Sequence, residues 1–198
     1  MPDDSCLELK PGFIVRVFFM IKIEAAHIDA LTAEELNRLY EIIIIAYRET
    51  EVEVWGENYV RIQKADFVKH VEQGEVLLAR NENNDVVGGV RYFQLKDKSW
   101  SFSLLGADFN EKGKGIGRAL ITAVEDKVKA AGGSEIRIEI LRAKSIDAAF
   151  KKVISDWYQR LGYTYIKAVD VFDVYNDAKK WEKLVNPSVF DCYLKVLN

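Results

Sequence analysis

A short segment in the middle of the chain, KGKGIGR (112–118), places three glycines among three cationic side chains. Glycine lets the backbone adopt positive φ and come close to a ligand. Ile116, Leu120, Val124 and Val128 follow at four-residue spacing, which predicts an amphipathic helix beginning inside this segment. The first N–H groups of a helix lack internal partners and carry the positive end of the helix dipole, so they favour an anion. The segment therefore predicts a phosphate-binding turn.

The spacing of these glycines excludes two familiar phosphate loops. A G-x-G-x-x-G fingerprint begun at Gly113 would need its third glycine where Arg118 stands. No G-x-x-x-x-G-K-[ST] run occurs anywhere in the chain. A tight turn that is glycine-rich without binding anything remains the alternative interpretation.

Alternating apolar residues and turn signals predict seven strands and four helices around this turn. In SWSFSLLG (99–106), Trp100, Phe102 and Leu104 alternate with serines, the pattern of a half-buried strand. The predicted strands are 13–23, 75–80, 86–95, 99–106, 135–141, 163–172 and 189–197. The predicted helices follow a capping box at Thr32 and Glu35, cover 65–74, run from Ile116 to Gly132, and cover 145–161. This order predicts a mixed, mostly antiparallel central sheet flanked by helices, an α/β (α+β) fold.

Composition restricts the class of protein. The chain has 198 residues, which suits one domain, and its net charge of −3 with no basic face argues against nucleic-acid binding. Cys6 and Cys192 form neither a disulfide framework nor a metal set, and they fit a reducing, cytoplasmic location. His27 and His70 have no partners at ligand spacing, so no metal is expected.

The N-terminal segment raises a question of domain boundary. The apolar run 13–23 is too short to cross a bilayer and is interrupted by Arg16 and Lys22, so no membrane association is expected. Met20 reads as a natural start. Residues 20–198 are therefore expected to form a single domain, with 1–19 as an extension or a lead-in to the first strand.

Two motifs resemble those of one enzyme family. LLGADFNEKGKGIGRALI (104–121) is similar to the acetyl-CoA signature of the GNAT superfamily of N-acetyltransferases, a strand followed by [Gln/Arg]-x-x-Gly-x-[Gly/Ala]. Here Lys112 stands in place of the Gln or Arg. DWYQRLGY (156–163) resembles the second motif of that family. The order of elements from about residue 21 to 197 agrees with the resemblance.

The resemblance implies a fold detail and a co-substrate, acetyl-CoA. Strands 99–106 and 135–141 would run parallel and splay apart, with the pantetheine arm entering the gap. The pyrophosphate would lie on the N–H groups of residues 112–118. The cofactor-binding residues implied are Leu105, Gly106, Ala107, Lys112, Gly113, Lys114, Gly115, Ile116, Gly117 and Arg118.

The resemblance also implies direct acetyl transfer to a primary amine, with Tyr158 as the general acid. Core packing is the alternative role for this tyrosine. Where family members often carry a glutamate base, this chain has Ser101, so ordered water or another carboxylate would serve. The acidic segment 49–57, expected to follow the first helix, offers Glu51 and Glu53 to a cationic substrate. A solvated acidic loop is the other interpretation of this segment.

The function expected is therefore N-acetylation of a small-molecule or protein amine. Two alternatives stay open: an acyl-CoA-binding domain without turnover, and an acyltransferase that uses a longer acyl chain. A homodimer is a further possibility, because strand 189–197 is apolar and is expected at a sheet edge that a partner could cover.

Overall fold

Seven strands form one sheet in the computed structural model, which describes residues 20–145, 149–174 and 178–198. Their order across the sheet is β1-β2-β3-β4-β5-β7-β6. Only β4 and β5 pair in parallel among the described residues, and the other neighbours are antiparallel. The strands are β1 (Lys22–Ala25), β2 (Val76–Arg80), β3 (Val86–Gln94), β4 (Trp100–Ala107), β5 (Glu135–Ala143), β6 (Thr164–Asp170) and β7 (Ser188–Val196). The predicted mixed, mostly antiparallel sheet is confirmed.

Four longer helices and two short ones flank the sheet. They are α1 (Ala33–Trp55), α2 (Lys64–Glu72), α3 (Ile116–Ala130), α4 (Ala149–Arg160), α5 (Val171–Val174) and α6 (Ala178–Trp181). The sequence did not predict α5 and α6, which lie between the last two strands. None of the helices in the described part of the chain is both long and apolar enough to cross a membrane.

The first helix begins where the capping box predicts. The Thr32 amide donates to Glu35 Oε2 at 2.9 Å, and the Glu35 amide donates to Thr32 Oγ1 at 3.1 Å. The helix then continues for 23 residues to Trp55. The prediction that segment 49–57 follows the first helix is therefore wrong, because most of that segment forms the last turns of α1.

Two other predictions about strands need correction. β7 lies between β5 and β6, so it is not a sheet edge, and the argument for a dimer through 189–197 fails. The edge on that side is β6. At the other end, β1 shares only its first two residues with the predicted strand 13–23, and residues 13–19 lie outside the described residues.

The core consists of clusters on the two faces of the sheet. α3 packs on one face, where Leu120 and Val124 meet Phe102 of β4. α1 and α2 pack on the other face, where Leu39 and Phe67 belong to a separate buried cluster.

Strand β4 changes face in its middle. The alternation in the sequence predicts that Phe102 and Leu104 share one face, but Phe102 joins the α3 cluster and Leu104 joins the α1 cluster. The cause is a bulge: Leu104 has φ +54°, and the register between β3 and β4 shifts between Gly89 and Arg91. A left-handed conformation costs a leucine about 1–2 kcal/mol. Burial of its side chain, worth about 2–3 kcal/mol, offsets this cost.

The capping box makes a testable contribution to stability. Replacing Thr32 by alanine removes the side-chain acceptor of the Glu35 amide, so the free energy of unfolding should fall by about 1 kcal/mol in chemical denaturation. Thr122→Ala, at an exposed position inside α3, is the matched control and should leave stability unchanged or slightly raised. Equal effects of the two variants would show that the cap does not stabilise α1.

Candidate functional site

The parallel pair β4–β5 separates soon after it forms. Within the described residues, the two strands are joined at Trp100–Ile136 and Ser101–Arg137, and pairing ends there. The bulge at Leu104 then turns β4 away from β5. A cavity of about 610 Å³ occupies the gap. Beyond the bulge, β4 pairs with β3 on one side, and its backbone on the β5 side has no strand partner among the described residues.

The glycine turn lies at one end of this cavity. Asp108 follows β4 directly, accepts a hydrogen bond from the Asn110 amide at 2.9 Å, and pairs with Arg38 of α1. Gly113 and Gly115 have φ of +84° and +79°, and a Cβ added at either would point into open space. Gly115 is the N-cap residue of α3. Because glycine has no side chain to cap the helix, the first N–H groups of α3 are open to an anion.

The structure brings together nearly all of the residues that the sequence assigned to a cofactor. These residues line the cavity: Leu105, Gly106, Ala107, Lys112, Gly113, Gly115, Ile116, Gly117 and Arg118. Lys114 is not among the lining residues and instead forms an ion pair with Glu111 at 2.5 Å.

Helix α1 forms a second wall of the cavity because it lies directly on β4. A Cβ at Gly106 would come within 3.0 Å of Ile43 Cα, so a glycine at this position permits the close approach. The helix passes from Arg38, beside the glycine turn, to Glu51 at the far end of the cavity. Glu51 stands thirteen residues after Arg38 in this helix, a rise of about 20 Å. The cavity therefore has two distinct ends.

Tyr158 lies in the wall that α4 contributes. Its side chain is 8% exposed, and its ring packs 6.1 Å from Phe102 and 5.6 Å from Tyr163, centre to centre. It also lines the cavity, and its hydroxyl makes no hydrogen bond to a described residue. Burial raises the pKa of Tyr158, so the phenol keeps its proton at neutral pH. The residue thus packs in the core and presents an available donor.

The end of the cavity away from the glycine turn is polar and charged, and it contains Tyr47, Glu51, Arg61 and Lys151. We call these four residues the polar end. Glu51 is 5% exposed, accepts a hydrogen bond from Trp55 Nε1 at 3.0 Å, and lies 3.8 Å from Arg61 Nη1. The Arg61 guanidinium lies 5.1 Å from the centre of the Tyr47 ring. Burial raises the pKa of Tyr47 and lowers that of Lys151.

The carboxylates of the acidic segment 49–57 lie in different surroundings. Glu51 lines the cavity, but Glu53 is half-buried and does not, while Glu49 and Glu57 are exposed to solvent. Ser101 pairs with β5 and lies outside the cavity lining, whereas Ser103 belongs to it.

Sequence reasoning missed Arg61 and Lys151. Arg61 stands between α1 and α2, and Lys151 stands near the start of α4. Neither residue belongs to a motif or a regular pattern in the sequence. The sequence therefore could not predict that the two side chains lie at the same end of the cavity. Among the described residues, no group of three or more His, Cys, Asp or Glu side chains could hold a metal ion.

A known protein family and several solved structures share features of this chain. The family model described as the acetyltransferase (GNAT) family matches residues 36–163. A comparison with curated protein sequences gave no significant match.

Solved structures of similar fold include three acetyltransferases. A mosquito arylalkylamine N-acetyltransferase-like protein is 18% identical, with 90% of this chain and 100% of that chain covered and a TM-score of 0.63. An agmatine N-acetyltransferase is 15% identical, with 89% and 99% covered and a TM-score of 0.62. An aminoglycoside 6'-N-acetyltransferase in complex with coenzyme A is 18% identical, with 89% and 97% covered and a TM-score of 0.61. At these identities the likeness shows the fold alone.

The buried carboxylate of Glu51 should be measurable through stability. Glu51→Gln keeps an acceptor for Trp55 Nε1 but removes the negative charge that faces Arg61 and acts on Lys151. The free energy of unfolding should fall by about 2 kcal/mol in chemical denaturation, because a buried cation loses its counter-charge. Glu57→Gln, at an exposed position of the same acidic segment, should change stability by less than about 0.5 kcal/mol. An unchanged stability in Glu51→Gln would mean that water, rather than this carboxylate, compensates the two cations.

Proposed function

Because the chain belongs to the acetyltransferase (GNAT) family, we propose that it transfers an acetyl group directly from acetyl-CoA to a primary amine. The observation that carries the proposal is the cavity between β4 and β5. The glycine turn and the start of α3 lie at one end of this cavity. Tyr158 and the four residues of the polar end lie towards the other. A ligand with a phosphate group at one end and a reactive group at the other matches this arrangement.

The residues present fit coenzyme A. The open N–H groups at the start of α3, with Lys112 and Arg118 beside them, would hold its pyrophosphate. The edge of β4 at Leu105–Ala107, which pairs with no described strand on the β5 side, would hydrogen-bond the amides of its pantetheine arm, as a neighbouring strand would. When bound, acetyl-CoA supplies an acetyl group activated as a thioester.

Tyr158 is the residue that we assign as proton donor. Its raised pKa keeps the hydroxyl protonated, and the absence of a described hydrogen-bond partner leaves the proton available to a ligand. A sulfur that develops negative charge would accept this hydrogen bond. The rings of Phe102 and Tyr163 fix the phenol in place, so packing supports this role.

The acceptor amine must lose a proton before it can attack a carbonyl. Ser101 lies outside the cavity lining and cannot serve. Glu51 is the carboxylate at the polar end, and we assign it to bind the ammonium form of the acceptor there. Ordered water would then carry one proton of this ammonium to solvent, which leaves the neutral amine to attack the thioester carbonyl. Glu53 does not line the cavity and would act on the acceptor only through its charge.

The substitution of Ser101 for a glutamate favours one competing function, an acyl-CoA-binding domain without turnover. Release of free thiol from acetyl-CoA in the presence of an amine separates the two. Binding of CoA with no thiol release over a broad panel of amines would support the silent domain.

Two glycines with the same backbone conformation provide a matched test of the cofactor site. Gly115 and Gly132 stand at opposite ends of α3 with φ of +79° and +78°, and a Cβ at either meets open space. Alanine at each should lower the free energy of unfolding by about 1–2 kcal/mol. Only Gly115→Ala should weaken CoA binding in calorimetry, by tenfold or more, because its methyl group lies at the phosphate end of the cavity. Wild-type affinity for CoA in both variants would remove the glycine turn from the binding site.

The role of Tyr158 predicts a defect in turnover rather than in binding. Tyr158→Phe keeps the ring packing and removes the donor, so kcat should fall by about 100-fold while KM for acetyl-CoA changes less than about twofold. Tyr165→Phe, at an exposed position on β6, is the control and should keep full activity. Undiminished kcat in Tyr158→Phe would leave this tyrosine with a packing role alone.

A further inference from the structure

We propose that the amine acceptor of this protein also carries a carboxylate, and that Lys151 and Arg61 bind that carboxylate at the polar end of the cavity. The inference rests on the acetyl transfer proposed above and names the substrate class for the same site.

Lys151 is a buried cation in the wall of the cavity. It is only 9% exposed, and its ammonium makes no hydrogen bond or ion pair with any described residue. Burial lowers its pKa, which is the sign of a cation that has lost water without gaining a full partner. A buried cation without a counter-charge destabilises a fold. Its presence in a ligand cavity therefore points to a ligand that supplies the missing negative charge.

The surrounding charges do not satisfy Lys151. Glu51 acts on it through space, but no hydrogen bond or ion pair joins the two side chains, and Oε2 of this carboxylate already accepts from Trp55 and faces Arg61. Glu53 also acts on Lys151 yet does not line the cavity. The polar end thus presents two cations and one carboxylate to a ligand.

The phosphates of CoA do not account for these cations. The glycine turn has Lys112 and Arg118 of its own, and about 20 Å of helix α1 separates it from Glu51. Arg61 is held against the ring of Tyr47, which limits the directions in which its guanidinium can donate. A guanidinium with an ammonium nearby matches the two oxygens of a carboxylate through charge-assisted hydrogen bonds.

The same end of the cavity can hold both charges of one acceptor. Glu51 would bind the ammonium, while Lys151 and Arg61 bind the carboxylate, so an amino carboxylate fits better than a diamine. Two of the similar folds are named for agmatine and aminoglycoside acetylation, and both of those acceptors are cationic. A second positive charge in the acceptor would here meet Lys151 and Arg61.

Matched acceptors test the proposal directly. Linear ω-amino carboxylates with one to five methylenes are compared with the ω-amino amides and the diamines of equal length, at saturating acetyl-CoA. For the preferred length, the carboxylate should exceed both the amide and the diamine by about 10- to 100-fold in kcat/KM. Lys151→Met should abolish this preference and Lys151→Arg should restore most of it. Lys152→Met, at the exposed neighbouring position, should leave it unchanged.

The thermal midpoint of Lys151→Met distinguishes the loss of a carboxylate site from misfolding, because a misfolded variant would melt at a lower temperature. Lys151→Met replaces a buried, unpartnered cation by an apolar side chain of similar length, so its thermal midpoint should rise while the carboxylate preference is lost. A fall in the midpoint would show that Lys151 is paired within the fold, which would overturn the proposal.

The outcomes distinguish this inference from the proposed function. Turnover with diamines or amides equal to or better than carboxylates overturns the inference and leaves acetyl transfer intact. If no amine supports thiol release, calorimetry of the amino carboxylates on the CoA-loaded protein decides. If the amino carboxylates bind and Lys151→Met abolishes that binding, the carboxylate site is supported and the proposed acetyl transfer is overturned. The absence of both binding and turnover overturns both.

Discussion

The cavity exists because β4 separates from β5 after two paired positions. Two parallel strands that stayed paired would bury the backbone of Leu105–Ala107 and leave no cavity. The bulge at Leu104 prevents this, because a left-handed residue inside β4 reverses the faces of the residues that follow it. The strain is tolerated because Leu104 is buried against α1. The free strand edge, the glycine turn and the wall containing Tyr158 all face the space that this single irregularity opens.

Helix α1 converts that space into a site with two ends. It lies so close to β4 that Gly106 has no room for a side chain beside Ile43. Its first turn is fixed by the Thr32–Glu35 capping box, and Arg38 ties it to Asp108 at the glycine turn. The same helix carries Tyr47 and Glu51 along the cavity to the polar end. The length of this helix therefore sets the distance between the end proposed for the phosphates and the end proposed for the acceptor.

The two ends of the cavity differ in how they hold charge. At the glycine turn, backbone N–H groups supply the positive potential, and these groups are exposed by the geometry of any helix start. At the polar end, side chains supply it: Lys151 is buried and Arg61 is half-buried, and holding both cations beside one carboxylate is unfavourable for folding. A stable core on both faces of the sheet compensates for this local cost. Such local instability is typical of a site shaped by a ligand rather than by folding.

Local sequence signals were enough to predict the four longer helices, most of the strands and the glycine turn. Periodicity gave the four main helices and the meander, and the KGKGIGR segment marked the helix start, because these signals are local and repeat at the spacing of the backbone. The tertiary structure decided what the sequence could not: the bulge that moves Leu104 to the opposite face, the interior place of β7, and the continuation of α1 through Glu51. It also decided that Arg61 and Lys151 meet. The two side chains come close because α1, the segment after it and α4 converge where β4 and β5 have separated. These segments are distant in sequence, so no pattern within one of them could predict this proximity.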